Sequence, residues 1–342
     1  MSEHLEDIAN RMVAEGRGIL AADESSGTIK KRFDSINAES SADNRRDYRE
    51  MLFRSPAMKD YVSGVILFDE TLRQNADDGT PLAGLIADAG AVPGIKIDTG
   101  AKPLAGFDGE TVTEGLDGLR ERLAEYHDLG ARFAKWRAVI SIGEGRPTWN
   151  SVKANAHALA RYAALCQEAG IVPIVEPEVQ MDGPDAVHDI DRCLEVSQWA
   201  LKTVFAEIYD AGIALDGMVL KPNMVVPGQK SGKSASVEEV AEKTISCLMA
   251  TVPAAVPGIA FLSGGQGDEE ATAHLSAMNA MFDPPWKLTF SYGRALQAAA
   301  LKAWGGKAEN VPAAQAAFAH RARMNGLAAL GKWSPDLERE AA

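Results

Sequence analysis

A chain of 342 residues, 46% hydrophobic and 24% charged, has a globular composition with material for one large core, which excludes disorder over most of its length. Its formal charge of −13 excludes nucleic acid and anionic membrane surfaces as partners, since both demand a basic face, but leaves room for a small anionic ligand in a locally basic site. The start from Met1 to Asn10 is acidic and polar, and no run approaches the roughly 18 apolar residues of a membrane span, so the chain is expected to be soluble, unexported and cytoplasmic.

In chain order, Leu5, Ile8 and Met12 recur at helical spacing before Gly16 and Gly18 interrupt the pattern. One sequence of features then repeats: a short apolar run, a polar or charged residue at its end, and a helical segment. The runs are Gly18 to Ala22 ending in Asp23, Gly64 to Phe68 ending in Asp69 and Glu70, Gly94 to Ile97 ending in Asp98, and Ala131 to Val139 containing Lys135 and Arg137. Four more follow: Ile171 to Val175 ending in Glu176, Gly217 to Leu220 ending in Lys221, Gly258 to Leu262 ending in Ser263, and Leu288 to Phe290 ending in Ser291. Helices punctuate them: Leu116 to Leu129 stops at Gly130, Ala154 to Ala169 stops at Gly170, and Ser236 with Glu239 forms a capping box opening Val237 to Val252. Eight short strands alternating with helices predict a closed (β/α)8 TIM barrel, because parallel strands need crossover helices. A doubly wound open sheet lacks its Gly-x-Gly-x-x-Gly signal. The expected organisation is one domain over 1–342, with the barrel over about 17–305 and a C-terminal helix and tail over 306–342. Pro227 to Ala235 reads as a mobile loop and the tail beyond Gly331 as weakly structured.

Barrels of this kind carry their chemistry at the C-terminal ends of the strands. Here those ends bear Asp23, Lys96, Asp98, Lys135, Arg137, Glu176, Glu178, Lys221, Ser263 and Arg294. Lys221 closes the short buried run Met218 to Leu220, and lysine is among the least often buried residues. A strand-end lysine commonly reaches into water, but one held among cations is depressed in pKa and becomes an amine that attacks carbonyls. Strand alternation turns Lys135 with Arg137, and Glu176 with Glu178, toward the barrel axis as pairs, where charges must compensate one another. Taken singly, Asp23 is a helix cap near Ser25 and the two glutamates are turn residues flanking Pro177; taken together, such readings require five coincidences at one end of one barrel.

Two stretches read as phosphate cradles. Ser263, Gly264 and Gly265 follow the seventh strand and Ser291, Gly293 and Arg294 the eighth, where backbone N–H groups at a helix start hold phosphate, although such glycines also serve merely as turns. Ser25 to Arg32, with Thr28, Lys30 and Lys31, offers a second anion site, its basic residues opposing the dipole at a helix start. The six histidines are scattered without metal-ligand spacing, so no metal is expected, and Cys166, Cys193 and Cys247 lack metal or redox spacing and read as reduced thiols.

The segments Ile19 to Lys31 (ILAADESSGTIKK), Gly64 to Leu72 (GVILFDETL), Ala134 to Arg137 (AKWR), Ile171 to Glu178 (IVPIVEPE), Leu220 to Met224 (LKPNM), Phe261 to Gln266 (FLSGGQ) and Leu288 to Trp304 (LTFSYGRALQAAALKAW) resemble class I fructose-bisphosphate aldolase, in the family's order over roughly residues 10–330. The resemblance implies reversible retro-aldol cleavage of fructose 1,6-bisphosphate through a Schiff base on Lys221, without metal or other cofactor. It implies Asp23 as acceptor of the C4 hydroxyl proton, Glu176 in proton transfers of imine chemistry, Lys135 as support for charge at the reacting centre, and Glu178 as the group that positions the lysines. It gives Ser263, Gly264, Gly293 and Arg294 to one phosphate and Ser25, Thr28 and Lys96 to the other, and suggests a homo-oligomer, possibly a tetramer. The alternative is a Schiff-base aldolase or transaldolase acting on another phosphosugar. Many animal members end in a Tyr that assists proton transfer, a residue without counterpart in Arg339, Glu340, Ala341 and Ala342.

Overall fold

The computed structural model describes residues 3–183 and 185–339. In chain order, α1 (Leu5–Met12) leads to β1 (Gly18–Ala22), and α2 (Ser26–Asp34), α3 (Ala42–Phe53) and α4 (Ala57–Tyr61) precede β2 (Val62–Leu67). Next come α5 (Asp69–Leu72), α6 (Leu82–Asp88), β3 (Val92–Lys96), the hairpin β4 (Gly100–Pro103) and β5 (Thr111–Glu114), α7 (Leu119–Asp128), β6 (Phe133–Ser141), α8 (Trp149–Glu168) and β7 (Val172–Gln180). The chain continues through α9 (Ile190–Asp210), β8 (Val219–Leu220), α10 (Val237–Met249), β9 (Gly258–Phe261), α11 (Asp268–Met281), β10 (Lys287–Tyr292), α12 (Arg294–Trp304) and α13 (Val311–Ala329). Eight strands close in the order β1-β10-β9-β8-β7-β6-β3-β2, every neighbouring pair parallel, which is the (β/α)8 barrel the alternating pattern predicts.

Period-two alternation sorts each strand. Inward residues Ile19, Ala21, Ile66, Val92, Phe133, Val172, Ile174, Val219 and Ala260 form one buried cluster with Ile8, Ala9, Met12 and Val13, so α1 plugs the N-terminal end of the barrel with its apolar face. Outward residues such as Leu20, Trp136, Leu220, Phe261, Phe290 and Tyr292 join the larger core beneath the helices. The Phe133 ring fills the barrel floor against Gly94, where a Cβ would sit inside the ring; this glycine is required by close approach.

The predicted element boundaries move in ways the chain explains. β6 and β7 extend to Ser141 and Gln180, in register from Phe133↔Val172 to Ser141↔Gln180, and β7 accommodates Pro177 because its pairing with β8 has already ended at Val175↔Leu220. β8 is shorter than expected, since Leu215–Gly217 forms a 3₁₀ turn and Pro222 lacks the N–H to continue a ladder. α8 begins at Trp149, before the predicted Ala154, with Thr148 Oγ1 accepting the Ser151 N–H at its start. The segment predicted as a mobile loop after the sixth barrel strand has no regular secondary structure, yet the Gly228 and Gln229 N–H groups donate to the carbonyls of His188 and Met181, and Lys233 pairs with Asp189 at 3.0 Å. The tail beyond Gly331 is likewise held: Glu338 in the turn Pro335–Arg339 accepts from Arg321 at 2.6 and 2.7 Å and from the Trp333 indole at 2.9 Å, with His320 Nε2 at 2.8 Å. Glu340, Ala341 and Ala342, the end without a Tyr, lie outside the described residues.

Candidate active site

The inward face of each strand changes character along its length. Ile19 and Ala21 are followed by Asp23, Phe133 by Lys135 and Arg137, Val172 and Ile174 by Glu176 and Glu178, and Val219 by Lys221: apolar where α1 closes the barrel, charged at the open end. The charged tier lines a cleft of about 640 Å³.

At its centre, four side chains alternate in sign. Lys135 Nζ lies 2.8 Å from Asp23 Oδ2 and 3.3 Å from Glu176 Oε2, and Lys221 Nζ lies 3.1 Å from Glu176 Oε1. Lys135, Glu176 and Lys221 are each 3–4% exposed, so every charge here depends on its neighbours for compensation. Burial opposes ionisation of Asp23, but the charges of Lys135 and then Lys221 outweigh it and hold the carboxyl well below the usual carboxylate range. Glu176 is held low in the same way: burial works against its charged form, and Lys135 and Lys221 overcome it. Burial disfavours the Lys135 ammonium too, but Asp23 and Glu176 drive its pKa above the ordinary lysine value. The fold thus fixes Asp23 and Glu176 as carboxylates on either side of a cationic Lys135. The Lys135–Glu176 contact lacks hydrogen-bond geometry, leaving one buried Glu176 oxygen without a hydrogen-bond partner.

Backbone support comes from behind the strands. The Tyr162 hydroxyl of α8 lies 2.7 Å from the Ala134 carbonyl and 2.9 Å from that of Ile174, joining β6 and β7 just below Lys135 and Glu176. Asp23 is no helix cap; the cap position of α2 is Ser25, whose Oγ lies 3.1 Å from Thr28 Oγ1 and accepts no backbone N–H of the helix. Glu178 accepts a bidentate pair of bonds from Arg137 at 2.5 and 2.6 Å, so its partner is the arginine and not the lysines it was expected to position. Lys96 pairs with Asp98 at 3.2 Å.

Residues of both predicted phosphate cradles line the same cleft. Ser25, Thr28 and Lys96 form part of its lining, with Lys31 and Arg32. The basic residues of α2 do not oppose its dipole as expected: the helix starts at Ser26, Lys31 and Arg32 fall in its last turn, where cations are favourable, and Lys30 turns to Asp34 at 2.8 Å. Ser263, Gly264, Ser291, Gly293 and Arg294 line it too, and β10 pairs directly with β1, so that the Arg32 guanidinium of α2 lies beside Gly293. Gly293 is the N-cap of α12, whose first N–H groups have no partner within the helix, and the buried Ser291 Oγ has no hydrogen-bond partner. Gly265 does not join them; it makes the turn at φ +76°, and its carbonyl accepts the Gln229 amide at 2.9 Å.

Three cleft residues escape the sequence reading: Glu24, Asp182 and Ser35, whose hydroxyl donates to the Arg32 carbonyl at 2.6 Å. Glu24 pairs with Arg32 at 2.5 Å, accepts from Gln297 at 2.9 Å and lies 3.8 Å from the buried Arg49, whose guanidinium donates to the Glu24 carbonyl at 2.9 Å. Asp182 lines the rim near Arg137. Beside Asp23 and Glu178, neither Glu24 nor Asp182 carried a signal of its own; only the partners brought by α3 and α12 distinguish Glu24. Among the described residues, no group of three or more His, Cys, Asp or Glu is arranged to hold a metal ion.

A family model described as class-I fructose-bisphosphate aldolase matches residues 4–342. The chain belongs to the class-I fructose-bisphosphate aldolase family. This aldolase is 57% identical over 332 residues to a probable fructose-bisphosphate aldolase class 1 of Xanthomonas campestris, covering 97% of this chain and 98% of the relative. It is 52% identical over 324 residues to the cytosolic fructose-bisphosphate aldolase 4 of Arabidopsis thaliana, covering 94% and 82% of the two chains. A solved structure of fructose-bisphosphate aldolase from Plasmodium falciparum, in complex with TRAP and a small-molecule inhibitor, superposes with a TM-score of 0.94 at 47% identity, over 96% of this chain and 95% of the other. The activity is that of the family, an aldehyde-lyase cleaving a carbon–carbon bond of fructose 1,6-bisphosphate, and another phosphosugar as the principal substrate is not favoured. No described helix is long and apolar enough to cross a membrane.

Proposed function

We propose that this aldolase cleaves fructose 1,6-bisphosphate through an imine on Lys221, with Glu176, Lys135 and Asp23 as its partners. The observation that carries the reading is the buried alternation Asp23–Lys135–Glu176–Lys221, with contacts of 2.8, 3.3 and 3.1 Å in a cleft also lined by Lys96, Arg137 and Arg294. Lys221 in its amine form attacks the C2 ketone, and Glu176, within hydrogen-bond reach, shuttles the protons by which the carbinolamine loses water. The protonated imine accepts the electron pair of the C3–C4 bond while Asp23 takes the C4 hydroxyl proton, releasing glyceraldehyde 3-phosphate. Protonation of the enamine at C3 and hydrolysis of the imine then release dihydroxyacetone phosphate and restore Lys221. Lys135 stays cationic between Asp23 and Glu176 and stabilises the charge that moves past it. The electron sink is a nitrogen cation, so the reaction as proposed requires no metal.

Two anionic ends suit the two groups of lining residues. Ser263, Gly264, Ser291, Gly293 and Arg294 would hold one phosphate, and Ser25, Thr28 and Lys96 the other, with Arg137 as a further basic contact. Incubation with dihydroxyacetone phosphate, reduction with borohydride and peptide mapping, with and without chelator, tests the chemistry. A chelator-insensitive adduct on Lys221 is expected; an adduct elsewhere, or activity lost to chelator, would overturn it. A cytoplasmic location fits the cytosolic naming of the plant relatives. A homo-oligomer rests on the family resemblance, and a monomer by light scattering at micromolar concentration would refute it.

A further inference from the structure

The lysine at the centre of the site stands on very little strand. β8 contributes two residues, paired to β7 at Ile174↔Val219 and Val175↔Leu220 and to β9 at Leu220↔Ile259. Beyond it, the Lys221 N–H donates to the Val175 carbonyl at 2.8 Å, and Pro222, with no N–H to give, accepts from Leu262 at 3.1 Å. β7 meanwhile runs five residues past Val175, carrying Glu176 and Glu178 along a seam that β8 has left open.

Asn223 closes that seam with its side chain. Its Oδ1 accepts the Val179 N–H at 3.0 Å, a bond that a longer β8 would have made with its backbone. Its Nδ2 donates to Ser197 Oγ of α9 at 3.1 Å and to its own neighbour, the Met224 carbonyl, at 3.0 Å. The carboxamide is 5% exposed, so each of these bonds is made away from water, where an unmade one is costly. Val179 directly follows Glu178, and Asn223 stands two residues after Lys221. The amide therefore spans the same two chain segments as the Lys221–Glu176 contact of 3.1 Å, one step higher on the barrel.

We propose that Asn223 is a positioning residue for the aldol reaction: by bolting the end of β8 to β7 and α9, it sets the approach of Lys221 Nζ to Glu176 and hence the rate of imine formation. The inference rests on the reading of Lys221 as the imine-forming lysine. A loosening of the order of 1 Å at a reacting pair costs about 100-fold in rate, so the effect belongs in kcat and not in affinity for the phosphates.

The test is the timed borohydride trapping of dihydroxyacetone phosphate on Lys221 across pH 5 to 9, together with kcat and KM for fructose 1,6-bisphosphate, in wild type and Asn223→Ala. The expected result is a fall of about 10- to 100-fold in both trapping rate and kcat, KM within about twofold, and an altered pH dependence of trapping. A purely structural asparagine would lower the melting temperature and leave the rate and pH profile of the folded enzyme alone; that outcome, or a raised KM at unchanged kcat, overturns the proposal. If Asn223→Ala does not fold, Ser197→Ala decides: a trapping rate reduced more than about twofold supports the role of the amide, and any smaller change overturns it. Absence of a Lys221 adduct in the wild type would instead refute the imine reading itself, which separates the two failures.

Discussion

Glu176 is shared between Lys221 and Lys135, one oxygen to each, at 3.1 and 3.3 Å. A single buried carboxylate thus touches both the group proposed to become an imine and the cation proposed to steady the reaction. Removing its charge leaves Lys135 and Lys221 facing a neutral amide. Glu176→Gln is expected to lose about 100- to 10,000-fold in kcat, the range of a positioned acid–base group, and to trap less imine at every pH. Steady-state kinetics and borohydride labelling read both; unchanged labelling would remove Glu176 from imine chemistry.

Lys221→Met should abolish labelling and reduce turnover by about 10⁴-fold or more, since no neighbouring group can replace the nucleophile. The fold should survive, because Glu176 keeps Lys135 as its partner. A labelled Lys221→Met protein, detected by intact mass, would move the imine to another lysine.

The ion pairs also fix a pH window for stability. Asp23 has its folded pKa depressed, so its contribution is present above the ordinary value of 3.8 and is lost as pH falls through the lower folded value. Lys135 has its folded pKa raised, so its contribution is present below the ordinary 10.5 and is lost as pH rises through the higher folded value. Between about pH 5 and pH 10 the pair contributes a constant amount. In Lys135→Met, burial of Asp23 loses its main opponent, the carboxyl rises, and acid unfolding should begin at higher pH; breaking the buried pair should cost about 3–5 kcal/mol at neutral pH. Melting temperature against pH checks the first, urea denaturation the second.

Two phosphate sites built from different residues predict separable affinities. Arg294→Ala and Thr28→Ala should each raise KM for the bisphosphate, by about 10-fold or more for the arginine, whose charged bonds are the stronger. A sugar carrying a single phosphate should feel only one of the two changes. If both variants altered KM for a monophosphate equally, the assignment of separate sites would fail.

Gly94→Ala tests the barrel floor. Its new methyl would occupy the position of the buried Phe133 ring, which also packs against Gly64 of β2. A loss of about 1–3 kcal/mol is expected in chemical denaturation, with the residual folded enzyme still labelled at Lys221.

Much of this was legible in one dimension, because the repeat unit of a barrel is local. Each strand needs only a short apolar run and each helix its periodicity and caps, so eight runs between helices predicted the closed sheet, and α1 was visible from Leu5, Ile8 and Met12. Period-two alternation likewise turned Lys135 with Arg137 and Glu176 with Glu178 to one face before any fold was known. The hairpin β4–β5 was passed over, for it is exposed and lacks an apolar run. Gly217, which the sequence places at the start of the sixth strand because it adjoins three apolar residues, is instead the last residue of the 3₁₀ turn Leu215–Gly217.

Pairing across the barrel was decided by tertiary structure alone. Sequence determined that Asp23, Lys135, Glu176, Glu178 and Lys221 would meet at one rim, since each ends a strand. It could not say that Glu178 turns to Arg137 while Glu176 holds both lysines, that Lys31 and Arg32 lie in the last turn of α2, or that Gly265 faces away toward Gln229. Nor could it single out Glu24, whose partners Arg49 and Gln297 are 25 and 273 residues away in the chain. Periodicity fixes which face a side chain takes, but charge compensation in a buried cleft is settled by distances of about 3 Å between residues far apart in sequence, and only closure of the barrel sets those.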